Sequence, residues 1–343
     1  MDLERIAQLK EENLRAMELY ARLLSLDGAP FTPEEIASFA RDSYLSEQEA
    51  FLFLLSAVLG LEPDTRAEDK SLIRHYLSPA LKKMEPASYL QNPCRLLLPF
   101  PEAREGAWRF THLSYAPFQA FPRGNLLLLP SGRIQQPLGY FPEAFSYPAV
   151  LEKEREWMTL TPNEIETMQL SVAAAHGRAA VFGLGLGYFA FMAARKKEVS
   201  SLTVIERDEN AIRLFQKWLL PHFPGKEKIT LRHADAFDFI QAQAGRDSFD
   251  FAFVDLWHDV SDGLPLYLRF RKMESAFPLA SFHYWIEQDM LIFLRELLLE
   301  DALSMGPLSR FASPFLSQSP FPLPLESVRD ICLSLSPEDI SLN

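Results

Sequence analysis

Residues 179–194, "AAVFGLGLGYFAFMAA", decide the fold. The apolar run from Ala179 to Phe182 reads as a buried strand, and "YFAFMAA", Tyr188 to Ala194, reads as a buried helix. Gly183, Gly185 and Gly187 stand between them at every second position. Glycine weakens any regular element, so three at this junction predict a tight strand-to-helix bend. Such a bend lets a ligand approach the backbone beside a helix N-terminus, at the open ends of parallel strands. Close packing of helix on strand, with no ligand, is the alternative that the glycines alone leave open.

The flanking sequence has the rhythm that such a bend requires. Upstream, "TPNEIETMQLSVAAAHG" places Thr161 as a cap, Pro162 at the first helical position and Gly177 as terminator. Downstream, strand-like runs recur at 201–206, 229–233, 250–255 and about 280–285, with helical runs such as "NAIRLFQKWLL" between them. Alternation of this kind predicts an α/β, doubly wound parallel sheet covered by helices. Glu206 ends the second strand, 21 residues after Gly185. Asp235, followed by Ala236, closes the third, and Asp255 closes the fourth. A single acid at a strand end is commonly a helix cap. Three in register above a glycine bend are expected to share one pocket, with Glu206 placed to hold ribose hydroxyls.

Taken together, these motifs resemble the class I S-adenosylmethionine-dependent methyltransferases, over roughly residues 179–260. "GLGLGY" resembles that family's Rossmann-like glycine motif, and Glu206 matches its ribose-binding acid. Asp235 and Ala236 match the pair facing adenine, and Asp255 matches the acid beside the reacting methyl group. The resemblance implies S-adenosylmethionine as cofactor, held by Gly183, Gly185, Gly187, Glu206, Asp235, Ala236 and Asp255. It implies methyl transfer to a small-molecule acceptor. A looser likeness is to the spermidine synthase branch, where a β-hairpin with Gly and Gln precedes the nucleotide domain, as "LLLPSGRIQQP" does here. Leu184 and Leu186 stand where that branch carries an Asp, which weighs against aminopropyl transfer. Val181 stands where the wider family often has an acid, a departure that favours a non-catalytic nucleotide-binding module. "GLGYFA" also fits the dinucleotide fingerprint, so an NAD-binding enzyme stays open, although it gives no reason for Asp235.

Methyl transfer asks for alignment of the nucleophile and removal of a proton. The loop "LWHDVSDGLPLY" after Asp255 supplies Trp257, His258, Asp259 and Tyr267. His258 is the candidate general base, beside Asp255, because its intrinsic pKa lies nearest neutrality; the bland reading is a surface-loop histidine. His233 reads as structural. "HYWIEQ", from His283, reads as a buried aromatic strand and helix cap. No metal-ligand cluster is expected.

The rest of the chain sets limits. The net charge is −12 over 343 residues, with 48% hydrophobic and 23% charged residues. No basic run is longer than the one around Lys196-Lys197, which includes Arg195, so nucleic acid is not an expected partner. Two cysteines, Cys94 and Cys332, are too far apart for a zinc motif. The longest apolar run, from Ala50, is too short for a membrane span, and the N-terminus lacks signal-peptide build. A cytoplasmic location is expected. Residues 1–91 read as a helical domain, with capping signals at Thr32 and Ser46 and another helix opening at Ser78-Pro79. This domain is expected to cover the acceptor site or to mediate a homodimer. Residues 92–156 read as a Pro-rich linker with a β-hairpin at 125–136, 157–303 as the nucleotide-binding domain, and 304–343 as a Pro/Ser-rich extension that packs its phenylalanines on something.

Overall fold

The computed structural model describes residues 3–246 and 248–304. Apart from Ser304, the expected C-terminal extension, with Phe311, Phe315 and Phe321, lies outside the described residues. The chain forms two compact units. One comprises the residues up to Leu90 with Leu113–Tyr147 and Pro162–Glu166. The other comprises Gln91–His112, Pro148–Thr161 and the chain from Thr167 onward. The stretch 92–156, expected as one linker, is therefore divided between the two.

The first unit begins with helices Leu3–Leu24, Pro33–Asp42 and Glu47–Val58. Thr32 and Ser46 start the second and third as reciprocal capping boxes with Glu35 and Glu49. Each box satisfies two backbone N–H groups that a helix start leaves unpaired. Leu19, Tyr20, Ile36, Phe51, Leu55 and Tyr76 bury the inner faces of this unit. Ser78-Pro79 ends a helical run instead of opening one. The run widens into a π turn at Ile73–Leu77 and stops at Ala80, where the chain enters the strand Leu81–Lys83. The hairpin pairs Leu127–Leu128 with Ile134–Gln135, and Gly132 takes φ +82° in its turn. Asn13 anchors that turn, donating to the Gly132 carbonyl at 3.1 Å and accepting from the Ile134 N–H at 3.0 Å.

The second unit is built on five parallel strands: β1 (Gly177–Phe182), β2 (Val199–Glu206), β3 (Ile229–His233), β4 (Phe251–Val254) and β5 (Ser281–Tyr284). Their order is β3-β2-β1-β4-β5. The chain leaves β1 toward one edge, returns, and continues to the other. Right-handed crossovers then place the two sets of helices on opposite faces, which is the doubly wound arrangement, with its switch point between β1 and β4. The register brings the strand ends together. Phe182 of β1 lies opposite Ile205 of β2 and Val254 of β4, and Glu206 lies opposite His233 of β3.

Strand burial explains the near-continuous apolar sequences. Ala179–Phe182 and Phe251–Val254 are all buried. Phe189, in the helix Tyr188–Ala194, stacks on Phe253 at 3.9 Å between ring centroids. Each such ring contributes roughly 1.5–3 kcal/mol by leaving water. The strand Arg155–Thr159 pairs antiparallel with Phe145–Glu152, Met158 facing Val150. No helix among the described residues is long and apolar enough to cross a membrane. No group of metal-ligating side chains occurs among them either.

Candidate nucleotide site at the sheet switch point

The ends of β1, β2, β3 and β4 enclose one cavity. Gly183, Glu206, Asp235, Ala236 and Asp255 all line it, with Trp157, Ile205, Arg207, Phe237, Leu256 and Leu266. The three acids expected to converge are thus brought to one place. The cavity is small, about 80 Å³, against the roughly 300–1,000 Å³ usual for small-molecule sites.

Glu206 is buried, at 9% exposure. Its Oε1 accepts the Asp208 N–H at 2.8 Å, and its Oε2 accepts the Leu184 N–H at 3.2 Å. The carboxylate therefore ties the glycine bend to the turn after β2. Burial pushes its pKa up, and these backbone donors partly offset the rise. Asp235 caps the helix Ala236–Gln243, its Oδ1 accepting from the Phe237 N–H at 2.8 Å and the Asp238 N–H at 3.2 Å. Asp255 follows β4 directly, its N–H bonded to the Phe182 carbonyl at 2.8 Å. Burial pushes its carboxyl up to about 7, because desolvation disfavours the charged form.

The glycines divide. Gly183 lines the cavity with φ +100°. Gly185 and Gly187, expected as further floor of the pocket, do not line it. The place of a Gly185 side chain is taken by the Met158 thioether, and that of Gly187 by the Phe215 ring. Both glycines let the bend press against the protein's own side chains. Several of the bend's N–H groups are similarly engaged. Gly183 donates to the Ile205 carbonyl at 2.9 Å, Gly187 to the Leu184 carbonyl at 2.7 Å, and Leu186 to Met158 Sδ at 3.1 Å.

His258 also stands outside the cavity lining. Its ring meets Trp157, a wall of the cavity, edge-on at 4.2 Å between centroids. Its Nδ1 lies 3.0 Å from Asp262 Oδ2. Its Nε2 is buried and has no hydrogen-bond partner among the described residues. Asp262 also accepts the backbone N–H groups of His258 and Asp259, closing a capping box at the helix Val260–Arg271. Trp257 is buried and donates to the Trp285 carbonyl at 3.3 Å. Tyr267 donates to Glu287 at 2.8 Å, and His233 Nε2 lies 3.0 Å from the Arg207 carbonyl. These side chains serve the scaffold. Trp157, Met158 and Arg207 were not singled out from the sequence. For Arg207, adjacency to Glu206 is the available signal; Trp157 and Met158 open "WMTLTPNEIETM", a stretch that reads as a helix start with a pocket-wall role as the alternative, and they reach the bend through a long-range strand pairing. Asp262 stands three residues after the N-cap Asp259, the spacing of a capping box.

No family model matches the sequence, and no curated protein matches it. Similar solved structures include a spermidine synthase from Thermotoga maritima, 12% identical, covering 43% of this chain and 59% of its own, with a TM-score of 0.32. They also include a candidate O-methyltransferase from Klebsiella pneumoniae, 17% identical, covering 50% of this chain and 67% of its own, with a TM-score of 0.29. This chain thus spans about three fifths of the synthase's length. The fold assignment rests on the strand order β3-β2-β1-β4-β5.

Proposed function

We propose that the chain is an S-adenosylmethionine-dependent methyltransferase acting on a small molecule. The observation that carries this reading is the convergence of Gly183, Glu206, Asp235, Ala236 and Asp255 on one cavity at the switch point. The residues suit an adenosyl group. The Glu206 carboxylate accepts backbone N–H groups from Leu184, Asp208 and Arg207, and a carboxylate with about four lone-pair sites has room for a ribose hydroxyl besides. Asp235 and Ala236 offer a polar edge beside the apolar Phe237, as a purine requires. Asp255 sits where its charge is disfavoured, so a neighbouring cation would favour its ionised form. When bound, S-adenosylmethionine supplies a methyl group activated by the sulfonium charge. The chain's part is to align the acceptor and exclude water, for which Trp157, Leu256 and Leu266 form apolar walls. His258 is held at Nδ1 by Asp262, and its buried Nε2 lacks a partner among the described residues; it takes the proton of an acceptor nucleophile only when the Trp157 wall, against which its ring packs, moves.

The rival readings have less support. A dinucleotide needs backbone N–H groups turned to its pyrophosphate, whereas those of Gly183, Leu184, Leu186 and Gly187 are bonded within the chain. The spermidine synthase branch that the bend loosely resembles carries an Asp for the aminopropyl donor where Leu184 and Leu186 are buried here. Calorimetry with S-adenosylmethionine, S-adenosylhomocysteine and NAD separates the methyl-transfer and dinucleotide readings, and decarboxylated S-adenosylmethionine added as a fourth ligand tests the aminopropyl one. The expected result is binding of the first two at similar strength and none of NAD. Binding of NAD alone, or of none of the three, contradicts the proposal; binding without turnover on any acceptor leaves a nucleotide-binding module.

A further inference from the structure

Met158 touches the glycine bend yet has no part in the reaction proposed above. The residue is 7% exposed. Its thioether fills the space that Gly185 leaves for want of a side chain, and its Sδ accepts the Leu186 N–H at 3.1 Å. A ligand seated between Gly183 and the three acids that continued along the bend would run into this side chain.

We infer that Met158 determines which ligands the site accepts: its thioether closes the bend to any substituent at the 5′ position of an adenine nucleoside, and a tailed ligand enters only when Met158 swings away. The inference rests on the adenosyl reading of the cavity. The closing contact is one that a tail can replace. A thioether is a weak acceptor, and a carboxylate or carbonyl oxygen of the ligand would take the Leu186 N–H more strongly. Methionine has three rotatable side-chain bonds and adapts readily to a changed space. Apparent affinity for a tailed ligand is then reduced by the fraction of molecules with Met158 displaced, whereas affinity for the bare nucleoside is not.

The test compares dissociation constants of the full chain for adenosine and for S-adenosylhomocysteine in the wild type, Met158→Ala and Met158→Leu. Met158→Leu nearly conserves volume and keeps the bend closed. Met158→Ala opens it, and is expected to bind S-adenosylhomocysteine about tenfold more tightly or better, for an open state populated at about 10% or less. Adenosine affinity is expected to stay within about twofold of the wild type in both variants. If Met158→Ala does not fold, Met158→Val removes the same sulfur and terminal methyl with a smaller loss of packing, and the same tightening is expected. Equal changes for both ligands, or no tightening for S-adenosylhomocysteine while adenosine binds, overturn the inference alone. Failure of adenosine to bind any of the folded proteins overturns the adenosyl reading, and the inference with it.

Discussion

The backbone carbonyl of Asp255 occupies the space in which a side chain on Gly183 would stand. The ends of β1 and β4 are therefore as close as two main chains allow, and the rim of the cavity is closed by backbone on that side. Gly183 also holds φ +100°, a conformation that L-residues rarely adopt. Gly183→Ala must move one chain or the other, at a cost of about 3 kcal/mol or more. Thermal unfolding should show a large fall in melting temperature, with loss of nucleoside binding in whatever still folds. An unchanged melting temperature would mean that the two strand ends are not in this contact.

Asp255 makes stability depend on pH in a defined direction. Unfolded, it ionises near the ordinary value of 3.8; folded, near 7. Between about pH 4 and pH 7 the folded chain keeps a proton that the unfolded chain has released, so this residue's contribution falls as pH rises and levels off above 7. Asp255→Asn should remove that slope and raise stability at pH 8, by at most about 4 kcal/mol. Denaturant unfolding of both proteins at pH 5 and pH 8 measures it; an equal difference at the two pH values would place Asp255 in water.

Glu206 is expected to matter twice. Glu206→Gln replaces one accepting oxygen by an NH₂ that faces a backbone donor, either the Leu184 or the Asp208 N–H. One buried donor loses its partner, at about 1–3 kcal/mol. Nucleoside affinity should fall with it, by about ten- to a hundredfold if one ribose contact is lost. Parallel melting and calorimetric titration test this, and a variant that melts earlier but binds as the wild type would confine Glu206 to the scaffold.

His258 and Asp262 should separate binding from turnover. Asp262→Ala removes a capping box and should cost about 1–2 kcal/mol of stability. His258→Ala leaves the box acceptor in place and should bind S-adenosylhomocysteine like the wild type, while losing methyl transfer about 10²–10⁴-fold. Single-turnover methylation with an acceptor identified by screening reads the second effect; undiminished transfer would leave His258 a packing partner of Trp157.

The carboxyl half was readable because its signals are local. A buried strand, a bend and a carboxylate at each strand end recur along contiguous sequence, and parallel strands must end on a common rim, so Glu206, Asp235 and Asp255 could be placed together. The glycines were only half readable. That a side chain is excluded at Gly185 and Gly187 followed from the residues; what excludes it did not, since Met158 and Phe215 arrive from elsewhere in the fold. The division of 92–156 between two units was hidden for the same reason: strand partners in antiparallel ribbons are set by pairing at a distance. Ser78-Pro79 misled because proline marks a first helical turn far more often than the end of a π turn.

The central claim is that Gly183, Glu206, Asp235 and Asp255 enclose a single adenosyl group. A crystal structure of the chain with S-adenosylhomocysteine tests it most directly. The expected result is ribose hydroxyls within hydrogen-bond distance of Glu206, adenine beside Asp235 and Phe237, and Met158 displaced from Gly185. An empty cavity at saturating ligand, or the nucleoside bound away from these strand ends, would contradict it.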